Sequence, residues 1–404
     1  MRSSSAISSI LRSRSPGLSG IYKYPPGVNS TNRLSTLTLA NALRRTNLLL
    51  RHLSSGFKTM AGLPSTIEAF SFAKTGGVEV MEKITIPFPK IEKDSIVVKV
   101  NWGGVNTIDT YFRKGLYPVK SFPQISGQEA SGTIVALPTD ESILNDEQFK
   151  KRNFKIGSRV AVYSLGVHAQ YAVVSWPKVF PVPDSVSLEV AAAALLQGLT
   201  AVTLMTESYN VQKGDVILVH TVAGGLGLLF TQYAKSRGAA VIGTTSTPEK
   251  AELAKKFGAD HVILYTKENT VERVLELTNG EGVHAVYDGV GKDTFMDNFK
   301  LARRKATLIN VGNASGAVDP IAPLQLVAKN LKLVRPSMQN YIVTPEESYQ
   351  YGSELFREIE AGRLKVNIFA HYPFTTEGVR QAQTDLTTPG GKVAGKLLYT
   401  IADE

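Results

Sequence analysis

The 404-residue sequence contains no cysteine. That absence removes disulfides, a thiol nucleophile and any cysteine-ligated zinc site at once. Histidine is sparse as well. The six residues His52, His168, His220, His261, His284 and His371 show no paired metal-site spacing. His220, His261 and His284 fall at the ends of expected strands and read as packing or cap residues. No uninterrupted apolar run approaches the roughly 20 residues that a membrane span needs. Acidic residues are missing from positions 1–60, which hold nine of the 45 Lys and Arg. The other 36 face all 35 acids, so nearly the whole formal net charge of +10 resides in that leader. A body so evenly balanced has no general electrostatic footprint for nucleic acid.

The leader is rich in Arg and Ser, which is the composition of an organelle transit peptide. Residues 39–53 (LANALRRTNLLLRHL) read as a basic amphipathic helix, and residues 51–55 as a matrix-protease cleavage context. The expectation is a mitochondrial protein. The alternative is translation from Met60 and a cytoplasmic protein, since residues 60–70 read as the natural start of a fold.

The body is 43% hydrophobic by whole-chain composition, ample for a large core. Residues 66–185 are strand-rich, with short β-branched runs at 96–101 (IVVKVN), 132–137 and 159–163. Residues 138–156 are polar and read as a surface loop with one helical turn. Residues 188–208 read as helices interrupted at Gly198. Strand and helix then alternate: strands at 215–220, 240–243, 261–264, 283–287 and 307–311, helices at 225–236, 248–257, 270–278 and 292–302. Such βα units imply a parallel, doubly wound sheet. Beyond residue 333 the pattern is irregular until a strand at 396–401. The expected organisation is a leader (1–60), the first part of a catalytic domain (61–188), an inserted dinucleotide domain (189–333) and a return segment (334–404). The site then lies in the interdomain cleft.

The first strand of the alternation runs into residues 221–227 (TVAGGLG) and a helix. This is the context in which a dinucleotide fingerprint is meaningful. Gly224 lets the backbone approach a pyrophosphate, Gly227 allows close helix–strand packing, and the helix N-terminus, with Gly225 and Leu226, offers amides and a positive dipole to the phosphates. Val222 stands where the fingerprint has its first glycine. A tight structural turn in another α/β domain is the alternative. Binding of NAD needs an acid about 20 residues on. Residues 243–250 (GTTSTPEK) offer none at the strand end. Ser246 and Lys250 instead suit a 2′-phosphate, so the expected cofactor is NADPH. Glu249 reads as a first-turn dipole partner, and Lys250 has the alternative of a solvated helix residue.

Residues 127–132 (GQEASG) resemble the G-H-E-x-x-G zinc motif of medium-chain alcohol dehydrogenases, with Gln128 in the histidine place. No metal ligand is expected. Without a Lewis acid, alcohol oxidation is poorly supported. Hydride transfer to an acceptor that is already electrophilic is not.

Four further stretches carry a wider resemblance: residues 104–118 (GVNTIDTYFRKGLYP), 287–294 (YDGVGKDT), 312–317 (GNASGA) and 334–337 (VRPS). Over about residues 66–401 the chain resembles the zinc-free NADPH:quinone oxidoreductases of the zeta-crystallin type, within the medium-chain dehydrogenase/reductase superfamily. The resemblance implies an α/β fold, with a Rossmann doubly wound sheet inserted in a GroES-like β-rich domain. It places Asn106, Asp109 and Tyr111 near the nicotinamide and Tyr117 at the quinone pocket. It gives Thr200 to the carboxamide, and Ser246, Lys250 and Tyr265 to the adenosine 2′-phosphate. Gly312, Asn313 and Ser315 would hold the cofactor, and Arg335 and Lys396 would close the site. Gly289 stands where relatives often have Ser. Local alternatives exist: Asn106 and Asp109 as helix caps, Tyr117 as a core-edge tyrosine, Asp288 as a loop anchor, Arg335 as a surface ion-pair partner.

The implied reaction is hydride transfer from NADPH to a quinone, catalysed by orientation and exclusion of water. Asn106 and Tyr117 would bond the developing quinol oxygen. A homodimer is also implied. One alternative is a mitochondrial enoyl-thioester or enone reductase of the same superfamily, although residues 221–227 lack the Asn-x-x-x-Ser-x-Val-Gly pattern of those enzymes. The other is binding of AU-rich single-stranded RNA, for which the near-neutral body gives little support.

Overall fold

The structure, a computed structural model, describes residues 62–388 and 390–403. The expected targeting segment at 1–60 lies outside them.

The strand Ser95–Val105 organises the first half of the chain. It pairs antiparallel with Glu129–Ala136, Tyr171–Ser175 and Lys396–Thr400. The last of these also pairs in parallel with Ile368–Pro373, and Arg159–Tyr163 and Val179–Pro181 extend the other side to make seven strands. A smaller sheet places Thr66–Phe72 between Met81–Pro87 and the two-residue strand Gln124–Ile125. The distant strand Lys396–Thr400 thus lies beside Gly103 and Gly104, opposite Glu129 on their other side.

The second half is a six-stranded parallel sheet. Its order is His261–Leu264, Ala240–Thr245, Val216–Val219, Val283–Asp288, Ala302–Asn310, Lys332–Val334. In chain order this is 3-2-1-4-5-6, the doubly wound arrangement whose direction reverses between the first and fourth strands. Both faces are covered, which explains the unbroken apolar strands. Ile217, Val219, Ala285, Tyr287 and Ile309 enter one core, while the alternating Leu218, Val286 and Leu308 enter another.

Several expectations need correction. Gly198 does not interrupt a helix. Leu188–Thr203 is continuous and ends in a wider turn over Leu204–Ser208. A Cβ at Gly198 would lie 2.4 Å from Leu355 Cδ1, so this glycine admits the helix Pro345–Glu360. By length and composition Leu188–Ser208 could cross a membrane, but its apolar window is 72% buried inside the protein. The 138–156 loop contains two short helices, Glu141–Leu144 and Glu147–Lys151, each capped by an Asp side chain. The return segment holds two amphipathic helices, Pro345–Glu360 and Thr376–Thr387. The first opens with a capping box between Thr344 and Glu347.

Candidate active site

A cleft of about 690 Å3 lies between the two sheets, at the carboxyl ends of the parallel strands. Its dinucleotide wall begins at Thr221, which holds a left-handed backbone (φ 54°) and donates its hydroxyl to the His220 carbonyl. Gly224 caps the helix Gly225–Ser236, and Gly224 to Gly227 all line the cleft. At Gly227 a Cβ would come within 2.4 Å of the Thr221 carbonyl and 2.7 Å of that of Val222, so close turn packing demands glycine there. Val222 is accommodated by a second glycine. Its methyls lie 2.5–2.6 Å from where a Gly243 Cβ would be.

A buried polar chain fixes the facing loop. Asp288 accepts the Val290 and Gly291 amides, the Thr294 hydroxyl and Asn298 Nδ2. Asn298 Oδ1 lies 2.9 Å from His220 Nε2, and His220 Nδ1 lies 3.0 Å from Thr244 Oγ1. Since Asn298 donates to Asp288 through its nitrogen, its oxygen must accept. Nε2 of His220 is therefore the donor in this contact. Asp288 is a loop anchor and does not line the cleft.

Ser246, Lys250 and Tyr265 line the far end. Lys250 Nζ donates to the Gly391 carbonyl at 2.6 Å, and burial lowers its pKa. No carboxylate is paired with it among the described residues.

The opposing wall is aromatic. Tyr111 and Tyr117 meet edge to face, with ring centroids 5.4 Å apart. The Tyr111 hydroxyl accepts the Asn313 amide at 3.1 Å, and burial raises its pKa. Arg335 donates to the Tyr117 hydroxyl at 3.2 Å and to the Val311 carbonyl. These contacts tie the two walls together. Thr200 and Gly312 also line the cleft, the former bonding back to the Leu196 carbonyl.

Four expected site residues lie elsewhere. Asp109 is buried beneath the wall, where Oδ2 accepts the Asn106 amide at 2.9 Å and caps the helix Thr107–Arg113. Its Oδ1 has no partner among the described residues, and burial raises its pKa to about 7. Ser315 uses its hydroxyl within the loop, donating to the Val290 carbonyl and accepting the Asp293 amide. Asn313 contributes only that backbone amide to Tyr111. Lys396 is wholly buried, paired with Glu129 at 2.5 Å and with Asn106 Oδ1 at 2.7 Å. A lysine held by a carboxylate below the floor is not a lid over the cofactor.

Asn106 lines the cleft, but its amide is committed. Nδ2 donates to Glu129 Oε1 at 2.7 Å and to the Gly104 carbonyl at 3.2 Å, while Oδ1 accepts Lys396. It cannot also donate to a quinol oxygen without breaking this set. Sequence reasoning missed Glu129, although the G-x-E-x-x-G stretch contains it, and Gln197, whose Oε1 is buried in the cleft wall without a partner among the described residues. Among the described residues no group of three or more His, Asp or Glu could hold a metal. Gln128 lines the cleft at the position of the zinc-motif histidine. Gly127 before it (φ 99°) makes room for His168, a buried imidazole whose pKa falls to about 3 through burial.

Residues 92–184 match the alcohol dehydrogenase GroES-like domain, and residues 225–357 match the family described as zinc-binding dehydrogenase. The chain is 39% identical over 333 residues to a probable quinone oxidoreductase of Schizosaccharomyces pombe, covering 82% of this chain and 96% of that one. A quinone oxidoreductase of Pseudomonas aeruginosa is 37% identical, with 78% and 94% covered. The crystal structure of an Escherichia coli quinone oxidoreductase complexed with NADPH superposes with a TM-score of 0.76 at 34% identity, covering 82% of this chain and 99% of that one. A doubly wound sheet, an amide in the zinc-ligand place and these relatives together establish that the chain belongs to the zinc-free quinone oxidoreductase family of the medium-chain dehydrogenases and reductases.

Proposed function

We propose that the protein is an NADPH-dependent quinone reductase. The observation that carries this reading is one cleft joining a half-buried, carboxylate-free lysine to an aromatic wall. The residues present fit the cofactor. Ser246, Lys250 and Tyr265 offer hydroxyls and a cation to a 2′-phosphate. The amides opening the helix Gly225–Ser236 suit the pyrophosphate. Gln197 Oε1, without a partner among the described residues, offers an acceptor, and Gly289 leaves open space, with no described atom nearer than 3.9 Å to its missing Cβ. When bound, NADPH supplies the hydride.

The chain's own contribution is placement and shielding. Tyr111 and Tyr117 present ring surface against which a planar acceptor stacks. With its oxygen accepting Arg335, Tyr117 can turn its hydroxyl proton toward a developing quinol oxygen, and the guanidinium favours negative charge there. Orientation and water exclusion then account for the rate.

The test is NADPH oxidation by the purified protein with quinones, enones, enoyl-CoAs and ethanol. Turnover with quinones and none with ethanol is expected. Tight NADPH binding without turnover on a broad quinone panel overturns the reading, and preference for enoyl-CoA assigns the protein to enoyl-thioester reduction.

The homodimer belongs to the same proposal. The edge strand Lys332–Val334 follows the short helix Pro323–Lys329, whose Leu324 and Val327 are exposed, 77% and 61% accessible. Sedimentation at micromolar concentration would read a single monomer if this is wrong. The leader's composition supports mitochondrial targeting, which sequencing of the N-terminus from cells would test.

A further inference from the structure

The Glu129 carboxylate does not line the cleft, yet every donor that reaches it among the described residues comes from a segment that does. Asn106 Nδ2 and Lys396 Nζ donate to Oε1 at 2.7 and 2.5 Å. The Leu196 amide donates to Oε2 at 2.6 Å. Asn106 opens the helix that carries Tyr111. Leu196 lies one turn before Thr200. Lys396 sits between Gly395 and Leu397, which both line the cleft. Glu129 and Lys396 are each at most 1% exposed. Space for the carboxylate exists because Gly104 has no side chain. A Cβ there would lie 2.3 Å from Oε1.

The chemistry of the acceptor matters. An ionised carboxylate has only acceptor sites and satisfies all three donors, whereas an amide of the same shape turns an NH2 toward at least one of them. A buried ion pair contributes little net stability compared with apolar groups of equal volume. Its location accounts for it better.

We propose that Glu129 is the positioning residue of the reaction cleft. It fixes the Tyr111 helix, the Thr200 helix and the Lys396 strand against one another, so that hydride donor and acceptor meet at reacting distance. This rests on the quinone reductase reading above.

Glu129→Gln, Lys396→Met and the double variant, made in the full chain, test it. The double variant removes both charges, and so the unpaired buried ion that destabilises a single variant. Three measurements are made on each: thermal stability, NADPH affinity by nicotinamide fluorescence, and kcat and KM with 1,4-benzoquinone. A fourth, amide hydrogen exchange without cofactor, reads the walls directly.

The double variant is expected to recover the wild-type Tm while its kcat stays low by about 10²-fold, the loss produced by a misplacement of about 1 Å. The quinone KM and NADPH Kd should stay within about threefold of wild type, since ground-state binding is not removed. Exchange should quicken in residues 106–113 and 188–203 and stay unchanged in Val216–Val219. A double variant with wild-type kcat and exchange overturns the proposal, as does a kcat that follows Tm across the set. If the wild type binds NADPH but reduces no quinone, the functional reading fails on its own. The exchange pattern still decides the role of Glu129.

Discussion

The dinucleotide wall of the cleft is made of backbone, and the opposing wall is held by side chains paired over long sequence separations. On the first, Gly224, Gly225 and Gly227 are contiguous with the helix whose amides they expose, and Val222 is compensated by Gly243 on the adjacent strand. On the second, Glu129 meets Lys396 across 267 positions, and Lys396 meets Asn106 across 290. The backbone wall can present only the donors that a turn and a helix start provide. The side-chain wall can be tuned by charge. Its cost is that each buried group depends on partners far along the chain.

This contrast can be broken at either wall. The largest effect is expected from Lys396→Met, which strands the Glu129 carboxylate and should cost about 3–5 kcal/mol in denaturant unfolding. A loss below that range would show that burial of Glu129 does not depend on Lys396. Lys250→Ala should remove about 1.5–3 kcal/mol from NADPH binding and leave NADH binding unchanged, because only the 2′-phosphate loses a charged partner. Equal weakening of both cofactors would show that Lys250 supports the fold instead. Gly227→Ala forces a Cβ against two carbonyls and should cost about 1–3 kcal/mol of stability together with cofactor affinity.

Asp109→Asn probes pH. Burial raises the Asp109 carboxyl from its ordinary 3.8 to about 7. The folded protein therefore holds a proton that the unfolded chain has released, and this contribution to stability is lost as pH rises through that window. The amide keeps an acceptor for the Asn106 amide. Urea titrations of the variant between pH 4 and 7 should accordingly show a flatter pH dependence than wild type. The smallest effect is expected at Gly289, where a serine side chain enters open space and stability should change by less than about 0.5 kcal/mol. A gain in NADPH affinity there would show that one hydroxyl contact had been missing.

The difference between the walls also explains what could be read from the sequence. The βα alternation and the 221–227 turn are local patterns, so the parallel sheet and the placement of Ser246 and Lys250 in the cleft were legible. The roles given to Asp109 and Lys396 came from resemblance, and proximity to a site does not distinguish a lining residue from one beneath the floor. Long-range pairing made the difference. Gly198 does not break its helix because an interior glycine costs only about 1 kcal/mol, which close packing against Leu355 overrides. The helix Pro345–Glu360 did carry its own signal, the T-P-E-E capping box, which an irregular flanking sequence obscured.

The return of the strand Lys396–Thr400 to the first sheet has a consequence for biosynthesis. Translation delivers Glu129 well before its ammonium partner, and during that interval the carboxylate cannot be buried without a countercharge. The parallel sheet, by contrast, is encoded in one continuous stretch from Val216 to Val334 and needs nothing made later to pair its strands. A ribosome-bound chain can therefore assemble its dinucleotide half first. The half that brings an acceptor to the cofactor forms only after Lys396 has been synthesised. Reductive activity thus arrives at the end of folding, when both walls exist.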